Sequence, residues 1–347
     1  MKEWHQQLVR MFVACLVTTS LSACGSGVHS ALNPAGPQAE NISKIWWLMF
    51  WVSAAVFVIV LAVLILALVK AKKQEGMDQI PELELTDAGK KRRTNTVLAS
   101  VVATVLILFI FLIYSFVIGK GLTSELAQKN GVVIEITGHQ WWWEVRYDNV
   151  DASSIFTTAN EIHIPVGVPV TLSLKGGDVI HSFWVPNLHG KKDLIPGKIS
   201  TIWLQADRPG VFRGQCAEYC GLQHAHMALW VVAESQQQFN NWMQSQIQEA
   251  ASPATDSAKR GQQIFLSSAC VMCHTISGTP AGSNIGPNLT HVASRQTIAA
   301  GTLDNNREHL ASWVNNSQRI KPGNHMPAMS FSDSDLQPLL DYLQTLK

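Results

Sequence analysis

Two long apolar runs constrain how this chain can fold more than any other feature. Residues 45–69 and residues 96–118 contain no charged side chain, and each run exceeds the roughly 20 apolar residues that a helix needs to cross a bilayer. Charged residues make up only 15% of the chain, against roughly 25% in soluble domains. The sequence therefore predicts a transmembrane helical hairpin over residues 45–120. The alternative is that both runs form buried helices of a large soluble core.

The loop between the two runs is rich in basic residues and predicts the orientation of the hairpin. The positive-inside rule places such a loop in the cytoplasm, so we expect both termini on the external, periplasmic face of a bacterial inner membrane. Tryptophans are favoured at the membrane interface, and Trp46, Trp47 and Trp51 lie near the outer end of the first run. The basic residues are Lys70, Lys72, Lys73, Lys90, Lys91, Arg92 and Arg93.

The N-terminus has the pattern of a secretory signal peptide. Lys2 and Arg10 precede an apolar stretch that is too short to be a third span. The sequence "LSAC" at 21–24 also resembles the lipobox of bacterial lipoproteins, in which the cysteine becomes the acylated first residue. We expect a signal peptide over residues 1–23, a lipid on Cys24 that adds hydrophobic attachment, and an external segment over 24–44. Ordinary cleavage and an uncleaved signal anchor are the alternatives.

The composition beyond the hairpin changes from strand-like to helical. Residues 131–233 are rich in Val, Ile, Thr and aromatic residues with Gly-Pro punctuation, which predicts an antiparallel sandwich. The helical pattern begins near residue 235. We expect a β domain over residues 121–250, a linker over 251–258 and a helical domain over 259–347. The formal net charge of +1 gives no support for nucleic acid binding.

The motif "CVMCH" at 270–274 is the signature of covalent c-type haem attachment. Cys270 and Cys273 are spaced to meet the two haem vinyl groups, and His274 follows directly so that its imidazole reaches the iron. A zinc ribbon needs a second C-x-x-C, which the sequence lacks, and nothing here resembles the strand–helix frame of a thioredoxin. The region from "GQQIF" at 261–265 to the C-terminus is similar to class I cytochrome c domains.

A second axial ligand of the haem is expected, and a methionine in this position raises the potential. In class I cytochromes c the distal ligand stands in a G-x-x-M-P setting, which Met326 matches. Met329 is interpreted as packing, and His325 is a rival ligand. "GPNL" at 286–289 also matches the family, in which the proline carbonyl accepts the hydrogen bond of the proximal imidazole. By that resemblance Pro287 orients His274.

The stretch "CAEYCGLQHAHM" at 216–227 concentrates soft metal donors. Cys216 and Cys220 alone are compatible with a disulfide or a metal site, but His224 and Met227 add donors that favour copper over zinc. A blue-copper site uses one Cys, two His and a weak Met, so a second cysteine would be surplus. Two thiolates can instead bridge two copper ions if another histidine, such as His181, comes from elsewhere in the fold.

Together these motifs resemble subunit II of haem-copper terminal oxidases. The pair "DVIHSFWVP" at 178–186 and "CAEYCGLQHAHM", with "GHQWWWEVRYD" at 138–148 and the two apolar runs ahead of them, is similar to this family. A fused cytochrome c domain is typical of its caa-type members. The resemblance covers nearly all of residues 40–347. It implies a multidomain membrane protein with a two-helix transmembrane hairpin, a cupredoxin-like antiparallel β sandwich and an all-α class I cytochrome c domain.

The resemblance also implies a set of ligands. The backbone carbonyl of Glu218 would complete a dinuclear copper centre, CuA, and its side chain would reach a magnesium ion at the boundary with subunit I. His226 has no counterpart among the family's ligands and is interpreted as a loop or surface histidine. The side-chain ligands of the copper pair would be His181, Cys216, Cys220, His224 and Met227.

Two further roles come from the same resemblance. On a strand, Trp141 and Trp143 face one side and Trp142 the other, and Trp141 matches the family's point of electron entry near the copper. The alternative is that the tryptophans pack a core or rest near the membrane. Asp178 matches an acidic residue of the cytochrome-docking face, although a solvated loop acid is equally compatible with the sequence.

The sequence thus predicts the electron-input subunit of a respiratory, proton-translocating cytochrome c oxidase. Electrons would pass from a covalent haem c to CuA and on to haem in subunit I, where oxygen is reduced to water. No catalytic residue is expected in this chain. Expected partners are subunits I and III, an upstream cytochrome c or quinol–cytochrome c reductase, and membrane lipid. The alternatives are a copper-carrying subunit of a nitric or nitrous oxide reductase, a copper-free quinol-oxidase subunit, and a membrane-tethered copper carrier.

Overall fold

The computed structural model describes residues 27–72, 86–122, 132–148 and 154–347. The chain divides into two compact units, residues 40–128 on the one hand and residues 1–39 together with 129–347 on the other. The signal peptide predicted over residues 1–23 and the lipidation predicted at Cys24 lie outside the described residues.

The smaller unit consists of two long apolar helices. Helix α1 (Pro37–Lys72) and helix α2 (Asp87–Leu122) contain 36 residues each, which corresponds to about 54 Å, against a hydrocarbon core about 30 Å thick. Both helices are long and apolar enough to cross a membrane. Large side chains such as Phe57 and Leu112 are exposed along them, as lipid-facing side chains must be.

The larger unit contains a sandwich of two five-stranded sheets. The strands are β1 (Val133–His139), β2 (Trp142–Tyr147), β3 (Phe156–Ala159), β4 (Glu161–Pro165), β5 (Val170–Gly176), β6 (His181–Trp184), β7 (Lys192–Leu194), β8 (Ile199–Leu204), β9 (Gly210–Cys216) and β10 (Ala228–Glu234). The first sheet has the order β3-β2-β1-β5-β8 and the second the order β4-β10-β9-β6-β7.

Each sheet contains one parallel pair, which the prediction of a purely antiparallel sandwich did not include. β1 pairs with β5 in parallel, and β10 pairs with β4 in parallel. Parallel neighbours need a crossover connection. The chain supplies one when it leaves the first sheet after β3, adds β4 to the second sheet, and returns to the first as β5. The remaining pairs within the two sheets are antiparallel.

Period-two alternation builds the sandwich core, except in β4. In β1 and β2 every second residue is buried, as expected for strands with one face on a core. β4 is buried throughout because helix α3 (Gln236–Ile247) covers it. Trp242 of that helix stacks on His163 of β4 with ring centroids 4.0 Å apart. Ser235 caps α3 in a capping box with Gln238.

The C-terminal domain is built on helices α4 (Asp256–Ser267), α5 (Arg307–Asn315), α6 (Ser317–Ile320) and α7 (Asp333–Leu343). α4 begins three residues before the boundary predicted at residue 259, because the Thr255 side chain caps it at the amide of Ala258. α4 and α7 cross at Gly261, where a Cβ would collide with the carbonyl oxygen of Pro338. A hairpin of two short strands, β11 (Thr297–Ile298) and β12 (Leu303–Asp304), completes this mainly helical domain.

Direct hydrogen bonds join the C-terminal domain to the sandwich. The amide of Ala228, at the start of β10, donates to the carbonyl of Ala300 at 2.9 Å. The amide of Gln296 donates to the Glu161 carboxylate at 2.9 Å. The residues joined by these contacts are 72 or more positions apart in the sequence and meet only when the chain is folded. The contacts give the two domains one defined arrangement.

Candidate functional site

The two cysteines of the "CAEYCGLQHAHM" stretch lie together at the end of β9. Cys216 is the last residue of β9, and Cys220 lies in the turn that follows. Their sulfur atoms are 3.7 Å apart, well beyond the ~2.05 Å of a disulfide bond. Both side chains are buried and free. A pair of thiols held this close inside the fold suits a shared metal site better than a cross-link.

Four further donors surround the two sulfurs. The Nδ1 atom of His181 lies 3.9 Å from the Cys216 sulfur, and the carbonyl oxygen of Glu218 lies 3.2 Å from it. On the other side, the Nδ1 atom of His224 and the Sδ atom of Met227 lie 3.7 and 3.8 Å from the Cys220 sulfur. The structure therefore brings together every residue of the predicted copper set. Each sulfur has its own imidazole and one weak donor.

This donor set fits a pair of soft metal ions. The ligand atoms of His181, Cys216 and Cys220 all lie within 4.8 Å of one another in a buried group. Thiolate, thioether and imidazole ligands are those that copper selects. The pairing with Cys220 lowers the pKa of Cys216, while the same pairing and burial raise the pKa of Cys220. The two sulfurs thus favour one thiolate beside one thiol.

His181 is fixed on every side. Its side chain is fully buried, and a Cβ at Gly138 of β1 would lie 2.9 Å from its ring. Its Nε2 atom lies 2.8 Å from the carboxylate of Asp178, which leaves Nδ1 directed to the Cys216 sulfur. Asp178 also accepts hydrogen bonds from the amides of Gln140 and Val179, at 2.6 Å each. The family resemblance implies a docking role for Asp178, and the sequence gives no sign of its contact with His181.

A second site, a cavity of about 340 Å³, lies between the C-terminal domain and the sandwich. Cys270, Cys273 and His274 line it, with both cysteines near a short 3₁₀ turn (Ala269–Met272). The Nδ1 atom of His274 lies 2.7 Å from the carbonyl oxygen of Pro287. This is the contact that the cytochrome c resemblance implies, and it leaves Nε2 for an iron atom. Burial lowers the pKa of His274, which favours the neutral imidazole, the form that can bind a metal.

Met326, Met329 and His325 all line the same cavity. The carbonyl oxygen of Met326 accepts hydrogen bonds from the Ser317 hydroxyl at 2.6 Å and from the Gln318 amide at 2.7 Å. Its backbone is therefore anchored at the cavity wall. The ring of His325 lies 5.6 Å from that of Trp141. Two thiols, a neutral imidazole and methionines around one largely apolar cavity fit a covalently bound haem.

Trp141 connects the two sites. It precedes β2 instead of lying on it, but it is buried like Trp143, while Trp142 is half-buried. Its Nε1 atom donates to the carbonyl oxygen of Cys220 at 2.9 Å, and the residue also lines the cavity of the second site. One tryptophan therefore contacts the cysteine loop directly and borders the cavity on the other side.

The sequence gives no sign of two cations beside the cavity. Arg295 is half-buried with its Nε atom inaccessible to solvent, and burial lowers its pKa to about 10. It donates to Thr158 of the sandwich and to the carbonyl of Asn288, and its Nε atom has no partner among the described residues. Such a group suits an anionic substituent of a bound cofactor. Lys321 is the second cation. No local sequence signal marks either residue, because their burial depends on how the two domains meet.

Family models match two parts of the chain. Residues 148–235 match the model of the cytochrome c oxidase subunit II periplasmic domain, and residues 258–347 match the cytochrome c model. The first match covers strands β3 to β10 of the sandwich with the cysteine pair, and the second covers the domain that carries the C-x-x-C-H motif.

Similar proteins extend over the full chain. Cytochrome c oxidase subunit 2 of Alkalihalophilus pseudofirmus is 36% identical over 355 aligned residues, covering 100% of this chain and 99% of that protein. The Bacillus subtilis protein of the same name is 26% identical, with 99% and 98% covered. Among solved structures, the periplasmic domain of subunit II of cytochrome oxidase from Bradyrhizobium japonicum is 30% identical, with a TM-score of 0.32. It covers 35% of this chain and 96% of that domain.

Proposed function

Because this chain belongs to the cytochrome c oxidase subunit II family, as a member with a fused cytochrome c domain, we propose that it is the electron-input subunit of a respiratory oxidase. It would carry electrons from a covalent haem c to a dinuclear CuA centre and on to haem in subunit I, where oxygen is reduced to water. Members of this family are parts of haem-copper oxidases, which are oxidoreductase complexes. The chain itself would perform electron transfer and no bond-making step.

The residues around the cysteine pair would hold the copper. Cys216 and Cys220 would bridge two ions, His181 and His224 would each bind one, and Met227 and the Glu218 carbonyl would be the weak ligands. Two ions that share bridging thiolates accept and release single electrons with little change of geometry. The chain supports this by holding His181 and both cysteines in a buried, hydrogen-bonded frame.

The residues around the cavity would hold the haem. Cys270 and Cys273 would form the thioether bonds, His274 and Met326 would be the axial ligands, and the Pro287 carbonyl would orient His274. A haem bound in this way supplies a one-electron carrier, and an axial methionine raises its potential.

The observation that best supports electron transfer between the two sites is the position of Trp141. Its ring borders the cavity, and its indole N–H reaches the carbonyl of Cys220. In the proposed function this side chain is the entry point to the copper centre. No separate encounter complex is then needed between the haem and the copper of one chain.

The remaining assignments concern the assembled enzyme. We propose that both termini are periplasmic, that Cys24 is lipidated, and that the hairpin spans a bacterial inner membrane. The Glu218 side chain would reach a magnesium ion shared with subunit I. Subunit III and an upstream cytochrome c or quinol–cytochrome c reductase would be further partners. The docking role of Asp178 stays a prediction beside its contact with His181.

Metal analysis and electron paramagnetic resonance of the full chain in detergent test this function. We expect two coppers and one haem iron per chain, with the unpaired electron of the oxidised copper shared over both nuclei. Pulse reduction of the haem should then be followed by reduction of the copper within the same chain. One copper per chain with the hyperfine pattern of a mononuclear centre would contradict the bridged pair.

Replacing Asp178 by asparagine should weaken copper binding. The amide cannot act as the anionic acceptor for His181 Nε2–H, and loss of such a partner lowers metal affinity about 10–100-fold. Competition with a copper chelator measures the effect. Asp207→Asn is the matched control, because Asp207 is an exposed acid of the same domain that pairs with Gln205. Equal copper retention in the two variants would show that Asp178 does not position His181.

A further inference from the structure

We propose that Lys321 is a positioning residue that holds the haem domain against the loops around the copper centre, and that it thereby sets the rate of electron transfer from haem to copper. This inference rests on the proposed function. It concerns a residue outside both ligand sets, whose amino group contacts both domains.

The amino group of Lys321 is enclosed by three backbone carbonyls. Its Nζ atom lies 3.0 Å from the oxygen of Trp141, 2.8 Å from that of His226 and 3.3 Å from that of Ala299. Trp141 and His226 belong to the sandwich, and Ala299 belongs to the haem domain. An ammonium group has three N–H donors and no acceptor, so these oxygens satisfy it completely. The residue is 3% exposed.

The same stretch of chain makes a second contact with the copper loop. The side-chain amide of Gln223 donates to the carbonyl of Pro322, the next residue after Lys321, at 2.7 Å. Gln223 is buried and lies three residues after Cys220. Lys321 therefore does not reach across an open cleft. It stands at the centre of a packed junction between the haem cavity and the loop that carries Cys220 and His224.

Lys321 acts on Trp141 at the point where the two sites meet. The lysine holds the backbone oxygen of Trp141, while the indole of the same residue donates to the carbonyl of Cys220. The amino group also lies beside the cavity that would hold the haem. A continuous set of contacts therefore runs from the haem domain through Lys321 and Trp141 to a copper ligand.

A buried lysine at this position carries a cost. Burial disfavours the charged amine, and it lowers the pKa of Lys321 to about 7. An apolar side chain of similar length would avoid that cost, but it would leave the three carbonyl oxygens without their donor. What an apolar side chain cannot do is bind three carbonyls of two domains at fixed distances.

The test uses Lys321→Met in the assembled oxidase. We expect the haem-to-copper rate after pulse reduction to fall at least about tenfold. A tenfold smaller equilibrium constant for docking of the two domains corresponds to about 1.4 kcal/mol. Reduction of the haem by a small ascorbate-fed mediator should keep its wild-type rate. The haem absorption spectrum and the copper resonance should also be unchanged, which a general loss of structure would not allow. Lys259→Met, at an exposed ion pair of the same domain, should transfer electrons at the wild-type rate.

The outcomes separate this inference from the proposed function. If the wild-type chain shows no haem-to-copper transfer, the proposed function is wrong. If the wild type transfers electrons and Lys321→Met, with full haem and copper, does so equally fast, only the role of Lys321 is overturned. Should Lys321→Met fail to retain its cofactors, Lys321→Gln is measured in its place. A glutamine side chain has two N–H donors and cannot bind all three carbonyls, so the rate should still fall, and a wild-type rate in that variant overturns the inference.

Discussion

Cys220→Ser is expected to eliminate the copper pair while the haem stays attached. The Cys220 sulfur lies within 3.8 Å of the Cys216 sulfur, the His224 nitrogen and the Met227 sulfur, so three of the assigned donors surround it. A serine hydroxyl is a hard ligand and would not bridge two copper ions. Copper affinity should fall by more than the roughly 100-fold that marks loss of an outer partner, and oxygen consumption should fall with it.

The measurement is the copper-to-iron ratio of the purified chain, with oxygen uptake of the assembled oxidase. His226→Gln is the control, because the His226 side chain hydrogen-bonds Gln223 at 2.8 Å and is not among the assigned ligands. That variant should keep both coppers. Two coppers in Cys220→Ser would show that the second thiolate is not a bridge. Loss of copper in His226→Gln would show that His226 was wrongly left out of the ligand set.

Met326→Ala should open the haem iron to outside ligands. With the thioether gone, imidazole or carbon monoxide would bind where the wild-type haem excludes them, and the reduction potential should fall because an axial methionine raises it. Absorption spectra with and without added ligand, together with a redox titration, measure both changes. Electron delivery to the copper should slow in parallel, since the driving force and the spin state of the haem both change.

Met329→Ala is the matched control, because Met329 lines the same cavity three residues further along the chain. It should leave the low-spin spectrum intact. If Met326→Ala keeps an unchanged low-spin spectrum, its assignment as the distal ligand is wrong. The double variant with His325→Ala would then show whether the neighbouring imidazole takes that position.

Local motifs were enough to predict that most of the candidate ligands come together, because these residues cluster in the sequence. Cys216, Cys220, His224 and Met227 share one turn region after β9, and "CVMCH" contains all three residues predicted for haem attachment. His181 was harder, since it reaches Cys216 only through the pairing of β6 with β9, which sets Phe183 opposite Cys216. It was included because a bridged pair needs a second imidazole and because of the resemblance to a family, and not because of spacing. The contact between Asp178 and His181 depends on the same register.

Most of the features that could not be predicted depend on long-range packing. The parallel pairs β1–β5 and β4–β10 arise from crossings between sheets, which alternation of apolar residues does not reveal. Arg295 and Lys321 look like ordinary surface cations in the sequence, because nothing near them marks the junction at which they lie. The start of α4 at Asp256 was missed for a smaller reason: Thr255 acts as a cap inside a stretch that looked like a linker.

The hydrogen bonds between Ala228 and Ala300 and between Gln296 and Glu161 have a kinetic consequence under the proposed function. Two redox partners held in one chain meet without diffusion, so their exchange is a first-order process with an effective concentration set by the fold. Its rate should depend neither on protein concentration nor on ionic strength, which screens encounters between separate charged proteins. Salt sensitivity of respiration would then report only the arrival of electrons at the haem from outside.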